Sequence, residues 1–145
     1  MTTKRTGTPW MAADAYGKTL AGLSLNLIVR DVASSVPFYR DVLGMTLHYA
    51  DPDMAALGLG TTQIVLHADH TYDKQPWAKR LAGAGKRGLG AEIRILGIDP
   101  DAAERRAKAR GATILLGARD WPHGWRDVIL EDPDGYTFAV GTALP

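Results

Sequence analysis

The chain has 145 residues, no cysteine, and 17 basic against 16 acidic residues, for a formal charge of +1. That length suits one domain with a sizeable core, and 46% hydrophobic with 23% charged residues is an ordinary soluble globular composition. The missing cysteines exclude disulfides, thiolate catalysis and zinc–thiolate sites, and the balanced, scattered charge gives no electrostatic case for nucleic acid or a membrane surface.

Residues 1–21 read as a polar tail with a short helix beginning near Pro9. They lack the apolar core of a signal peptide, and no apolar run in the chain approaches eighteen residues, so no transmembrane helix is expected and a cytoplasmic location is. Trp10 and Tyr16 are expected to pack on the domain or on a partner subunit. A first module follows over 22–67. LSLNLIV (23–29) alternates and predicts a strand. A helix comes next, with Ser34 as the expected N-cap, Pro37 in the first turn, Phe38, Val42 and Leu43 as the apolar stripe, and Gly44 as a left-handed stop. MTLHYA, MAALGL and TQIVLHA predict three strands, joined by turns at 51–53 and 58–60.

Residues 68–89, with Pro76, Gly83, Gly85 and Gly88, predict a linker carrying a short helix around Trp77 to Leu81. The pattern then restarts over 90–142. AEIRIL predicts a strand. Asp99 caps a helix with Pro100 at its first position, Glu104 and Lys108 pair four residues apart, and Gly111 ends it. TILLG, RDVILE and YTFAV predict the closing strands, the last two joined by Asp132-Pro133-Asp134-Gly135. The order βαβββ therefore occurs twice. Asp31 and Asp99, which precede the helices, are 68 residues apart, and Gly44 and Gly111, which end them, are 67 apart.

VRDVASSVPFYRDVLGM (29–45) and EDPDGYTFAV (131–140) resemble the two signature segments of the vicinal oxygen chelate superfamily, which includes glyoxalase I, bleomycin-resistance proteins, fosfomycin-resistance enzymes and extradiol dioxygenases. The resemblance covers roughly residues 22–142. It implies an α+β fold in which two βαβββ modules form a curled mixed sheet around a cavity, usually in a homodimer.

Strand alternation places Ser24, Asn26, Ile28 and Arg30 on one face of the first strand, opposite Leu23, Leu25, Leu27 and Val29. In the first strand of the second module, Glu92, Arg94 and Leu96 oppose Ile93 and Ile95. The apolar faces are expected to meet helices. The mixed faces line either solvent or a cavity, and the resemblance implies the cavity. The superfamily's four metal-ligand positions carry over to Ser24, Val65, Glu92 and Ala139, with His67 on the same face as Val65. Of these, Glu92 is a competent ligand, a serine hydroxyl is a poor one, and Val65 and Ala139 cannot ligate. No cofactor is therefore expected, with a divalent metal as the alternative.

Glu92 has three readings: an ion pair with Arg94, a ligand contact, or a catalytic base. His67 is read as a cavity hydrogen-bonder or a strand-end residue in water, and His48 and His70 as surface residues. RDWPHGWRD (119–127) places two tryptophans around Pro122, His123 and Gly124. Its loop either packs its rings on the protein or stacks Trp121 or Trp125 on a flat ligand, with His123 as a polar handle and Trp77 as a further aromatic wall. The expectation is a homodimeric small-molecule-binding protein that sequesters an aromatic or polar organic ligand through Ser24, Asn26, His67, Glu92, Arg94, Trp121, His123 and Trp125. The alternative is a metal-dependent lyase, isomerase or dioxygenase using Glu92.

Overall fold

A computed structural model describes residues 3–145; the first two residues of the expected tail lie outside the described chain. The chain divides into two compact units, Met1–Val36 with Met45–Ala82, and Pro37–Gly44 with Gly83–Pro145. Each is built on one four-stranded mixed sheet, which makes the fold α+β. Among the described residues no helix is long and apolar enough to cross a membrane.

The first unit holds β1 (Leu25–Val29), β2 (Thr46–Ala50), β3 (Met54–Leu59) and β4 (Thr62–Ala68) in the order β1-β4-β3-β2. β1 runs parallel to β4, and the other pairs are antiparallel. The register puts Asn26 beside Val65, and Ile28 and Met54 on either side of His67. The expected alternation is therefore the observed one. Leu27, Val29, Ile64, Leu66 and Leu57, on the other face, are all buried. Each such side chain taken from water contributes about 1.5–3 kcal/mol before entropy is counted.

The second unit repeats this with β5 (Glu92–Leu96), β6 (Thr113–Asp120), β7 (Trp125–Glu131) and β8 (Thr137–Ala143) in the order β5-β8-β7-β6, with β5 parallel to β8. Its apolar face, with Ile95, Val128, Leu130, Phe138 and Val140, is buried, and α3 (Pro100–Arg110) packs on this sheet. Asp99 caps α3 by accepting from the N–H groups of Asp101 and Ala102, and Gly111 closes it at φ 66°. Glu104 pairs with Lys108 at 2.8 Å, as expected.

The helix of the first module ends as expected at Gly44, at φ 76°, but departs from expectation at its start and in its interior. It begins earlier, as α2 (Val32–Pro37), and its cap is Asp31 rather than Ser34: the Asp31 carboxylate accepts from the Ser34 N–H at 2.8 Å and from the Ser34 hydroxyl. Pro37 is thus the last α-helical residue, not part of the first turn. It brings no N–H to the ladder and crowds the preceding turn, so the backbone widens into a π-helical turn over Phe38–Val42, where the Leu43 N–H reaches the Phe38 carbonyl at 3.0 Å. That turn belongs to the second unit. Phe38 and Tyr39 both lie against Phe138, and Arg106 of α3 donates to the Val42 carbonyl at 2.9 Å.

The acidic turn between β7 and β8 is densely bonded. The Gly135 N–H closes a β-turn on the Asp132 carbonyl, and Asp132 Oδ1 accepts from the N–H groups of Asp134 and Tyr136. The buried Tyr39 hydroxyl donates to Asp132 Oδ2 at 2.7 Å. Gly135 has φ 93°, and a Cβ there would meet Lys86 Cβ at 2.7 Å and Lys86 Cα at 2.9 Å. The linker is seated on this turn, with the Arg87 N–H donating to the Asp134 carbonyl at 2.8 Å. The turn therefore fixes the pairing of β7 with β8, and with it the strand residues considered next.

Candidate functional site

The mixed face of the second sheet carries Glu92 and Arg94 from β5, and Asp127 and Ile129 from β7. The pairings Arg94–Ala139, Ala139–Ile129 and Asp127–Gly141 put these residues on one side. Residues 119–127 are not an extended loop. β6 continues to Asp120, pairing Arg119 with Asp127, and β7 begins at Trp125. Between them lies a tight turn in which the Gly124 N–H donates to the Trp121 carbonyl and the Trp121 N–H to the Trp125 carbonyl at 2.7 Å. Pro122 suits the second position of such a turn, and Gly124, at φ 88°, supplies the left-handed residue that a three-residue hairpin requires. The hairpin holds Trp121 and His123 over the mixed face.

Glu92, Arg94, Trp121, His123, Asp127 and Ile129 line a groove of about 290 Å³. The Arg94 guanidinium stands 4.9 Å over the Trp125 ring and 3.6 Å from Asp127 Oδ2, so its charge is answered by Asp127 and not by Glu92, contrary to the ion-pair reading. His123 Nε2 reaches the same oxygen at 4.0 Å. Glu92 is exposed and makes no hydrogen bond or ion pair among the described residues. Asp127 is only 4% exposed, and its Oδ1, like Trp121 Nε1, is buried without a hydrogen-bond partner among the described residues. Asp127 and Ile129 were absent from the expected site, although their alternation with Val128 and Leu130 marks them as sharing the face of Trp125.

In the first unit the mixed face is covered by the N-terminal segment, the on-domain packing expected of Trp10 and Tyr16. Trp10 stacks on Tyr49 of β2, with centroids 5.2 Å apart and planes at 7°. Tyr16, in α1 (Ala13–Gly17), donates its hydroxyl to Gln63 Oε1 at 2.8 Å. Arg5 donates its backbone N–H to Asp53 Oδ1 at 2.7 Å and pairs through Nη1 with Asp51 Oδ2 at 3.1 Å. His70, expected at the surface, instead places Nε2 2.9 Å from Asp53 Oδ1 with its side chain only 12% exposed. Beneath the segment lies a pocket of about 250 Å³ with Asn26, Met54, Val65 and His67 as its floor and Trp10, Met11, Tyr16 and Leu20 as its roof. Ser24 lies in a separate hollow with Thr19, Leu20 and Gln63. Trp77 stands 5.4 Å from Tyr72, which is itself 5.4 Å from His67. The structure thus groups Glu92, Arg94, Trp121 and His123, with Trp125 beneath Arg94, and separately groups Asn26 with His67.

The four positions implied for a metal do not form a donor set. Val65 pairs with Asn26 and Ala139 with Arg94, and both are buried hydrocarbon. Among the described residues no group of three or more His, Cys, Asp or Glu side chains could hold a metal ion.

A family model of the glyoxalase/bleomycin resistance protein/dioxygenase superfamily matches residues 23–140. The chain belongs to this superfamily. Solved structures of similar fold include a glyoxalase/bleomycin resistance protein/dioxygenase from Nocardioides, 22% identical with a TM-score of 0.65, covering 90% of this chain and 92% of that one. Lactoylglutathione lyase from Agrobacterium tumefaciens is 20% identical with a TM-score of 0.62, over 84% of this chain and 92% of the other. TioX from Micromonospora sp. ML1 is 19% identical with a TM-score of 0.64, over 86% and 99%. No curated protein matches the sequence significantly. At these identities the superfamily neighbours share the fold, and function has to be argued from the site.

Proposed function

We propose that this protein binds a small, flat organic molecule bearing a cationic or hydroxylated group, in the groove of the second sheet, without a resident metal of the superfamily type. The observation that carries the reading is the Glu92 carboxylate, exposed in a groove whose other two charges, Arg94 and Asp127, face each other. Arg94 and Asp127 offset each other, so the Glu92 carboxylate is left as an uncompensated negative charge, which attracts an ammonium or a hydroxyl donor. Trp121 supplies an aromatic wall and Ile129 an apolar floor, the usual mixture for an organic ligand. The sequestering role, and a homodimer in the cytoplasm, belong to the same proposal. Leu23 and Leu89, 90% and 79% exposed, are the apolar side chains that favour burial against a second copy.

The test is titration with 2-naphthylmethylammonium and its anionic counterpart 2-naphthalenesulfonate, followed by tryptophan fluorescence and calorimetry. The ammonium is expected to bind the more tightly, and Glu92→Gln to weaken it about tenfold. Equal binding of both probes, or an unchanged affinity in the variant, rejects the reading. The alternative, a metal-dependent lyase, isomerase or dioxygenase, is favoured only by the unpaired state of Glu92. Elemental analysis of the purified protein separates the two: stoichiometric divalent metal lost on Glu92→Ala would establish the alternative.

A further inference from the structure

The β6–β7 hairpin carries Trp121 and His123, yet the groups that fix its geometry lie behind it, on α3. β6 is an edge strand of its sheet, and its pairing with β7 slips twice. The second slip lies between Leu116, which pairs with Ile129, and Arg119, which pairs with Asp127. Gly117 and Ala118 therefore stand together opposite Val128, a β-bulge that leaves an N–H outside the ladder. Glu104 of α3 answers it: its Oε2 accepts from the Ala118 N–H at 2.9 Å. Gly117 makes room for this approach, since a Cβ there would lie 3.3 Å from Glu104 Oε1.

The extra residue decides which side chains the end of β6 turns toward the groove. With it, Arg119 shares the face of Asp127, Asp120 pairs with Arg126 on the opposite face, and Trp121 follows on the groove side. Without it the strand end would shift by one: Ala118 would oppose Asp127, Arg119 would oppose Arg126 as a like charge, and Asp120 would take Trp121's side of the sheet. A carboxylate would then stand where the groove now has its aromatic wall. α3 secures the same arrangement a second time. The Arg126 guanidinium forks onto Asp101 at 2.8 and 2.9 Å and donates to Asp120 Oδ1 at 2.9 Å, tying the ends of both strands to the first turn of the helix. Asp101 and Glu104 stand three residues apart, on one face of α3. We propose that Glu104 is the positioning residue that sets the aromatic specificity of the groove. It holds the bulge, the bulge sets the parity of the strand, and the parity presents Trp121. Arg126, through Asp101, holds the strand ends in that register. Neither Glu104 nor Arg126 lines the groove.

The specificity role rests on the groove around Glu92 as the binding site, and a first readout that needs no ligand lets the two fail separately. The indole N–H resonances of the four tryptophans are followed by heteronuclear NMR in the free full-length protein. Trp121 Nε1 is buried, so its proton is expected to exchange slowly with water. In Glu104→Ala that protection is expected to fall at least about tenfold, while the Trp10 and Trp77 resonances, in the other unit, stay in place. Glu104→Gln, whose amide oxygen still accepts from Ala118, is expected to restore it. Lys108→Ala, which removes the ion pair and keeps the bulge bond, is expected to leave it unchanged. The second readout is the ratio of affinities for benzylammonium and cyclohexylmethylammonium, which share skeleton and charge. An aromatic preference of about fivefold is expected in the wild-type protein, lost in Glu104→Ala and regained in Glu104→Gln. In case Glu104→Ala misfolds, Arg126→Ala, at a partly exposed side chain, is expected to cut the preference about twofold. Trp121 exchange unchanged in Glu104→Ala, failure of Glu104→Gln to restore it, or a preference unmoved by Glu104→Ala and Arg126→Ala each overturns the proposal. Binding of neither amine by the wild-type protein rejects the groove reading and the specificity role with it, while Trp121 exchange still reports whether Glu104 holds the bulge.

Discussion

Gly135 shows what one residue decides here. Its φ of 93° is a conformation that L side chains resist, and Lys86 occupies the space a Cβ would need. Gly135→Ala is therefore expected to cost about 2 kcal/mol in urea unfolding; a change within error would show that the linker moves aside freely. Tyr39 acts on the same turn. Burial, above all, raises the Asp132 carboxyl, against the hydrogen bond from Tyr39 and the turn N–H groups, which pull it down. The folded state thus holds this proton more tightly than the unfolded chain does. The stability this group contributes is full below about pH 3.8 and is lost as pH rises through the raised folded value. Removing the hydroxyl hurts the ionised carboxylate most. Tyr39→Phe is expected to cost about 1.5–3 kcal/mol at pH 7 and distinctly less at pH 4. Equal losses at both pH values would mean that Asp132 keeps one protonation state throughout. The sequence showed this stretch as turn chemistry alone, because Pro, Asp and Gly announce their backbone preferences locally. The Tyr39 bond, spanning 93 positions, left no local trace.

At the scale of elements, the N-terminal segment is held by contacts that titrate. For both Asp51 and Asp53 burial is the largest influence and pushes the carboxyl up. It is outweighed by the Tyr49 hydroxyl, the Met54 N–H and Arg5 at Asp51, and by the Arg5 N–H and His70 at Asp53, so both end below their ordinary 3.8. The sign is opposite to that of Asp132: this contribution is full above about pH 3.8 and disappears as pH falls through the lowered folded values. Amide protection of residues 5–20 is expected to drop on acidification below pH 4 while that of β3 and β4 persists. Arg5→Ala is expected to reduce that protection about threefold at pH 7, a modest effect because the guanidinium is partly solvated. Simultaneous loss of protection in segment and strands would refute a separately held segment. The same scale explains the misread helix. Ser34 is a good cap by composition, but Asp31 stands three residues earlier and its carboxylate reaches both groups of Ser34. With the start moved back, Pro37 falls at the end, and the chain answers with a π-helical turn.

For the whole molecule, the duplicated βαβββ order was legible because it is written in periodicity: strands alternate, helices are stopped by Gly44 and Gly111, and the two copies keep almost one register. The expected homodimer belongs to this scale. Light scattering on the purified protein is expected to give twice the 15.6 kDa chain mass, and Leu23→Lys with Leu89→Lys to shift it toward one chain; a monomer at micromolar concentration would remove the dimer from the proposal. The candidate site was legible in part. Glu92, Arg94, Trp121 and His123 were named from strand parity and composition, and the groove unites them. Asp127 was missed because a carboxylate between Arg126 and Val128 looks solvated until the sheet buries it. The sequence by itself determined the two modules and their strand faces, since each follows from local spacing and residue chemistry. Only the tertiary structure decided that Arg94 answers Asp127 rather than Glu92, that residues 5–20 roof one sheet, and that Tyr39 bonds to Asp132. Those outcomes depend on which distant strands and segments meet, and contact between residues far apart in the chain is set by packing of the whole rather than by any local pattern.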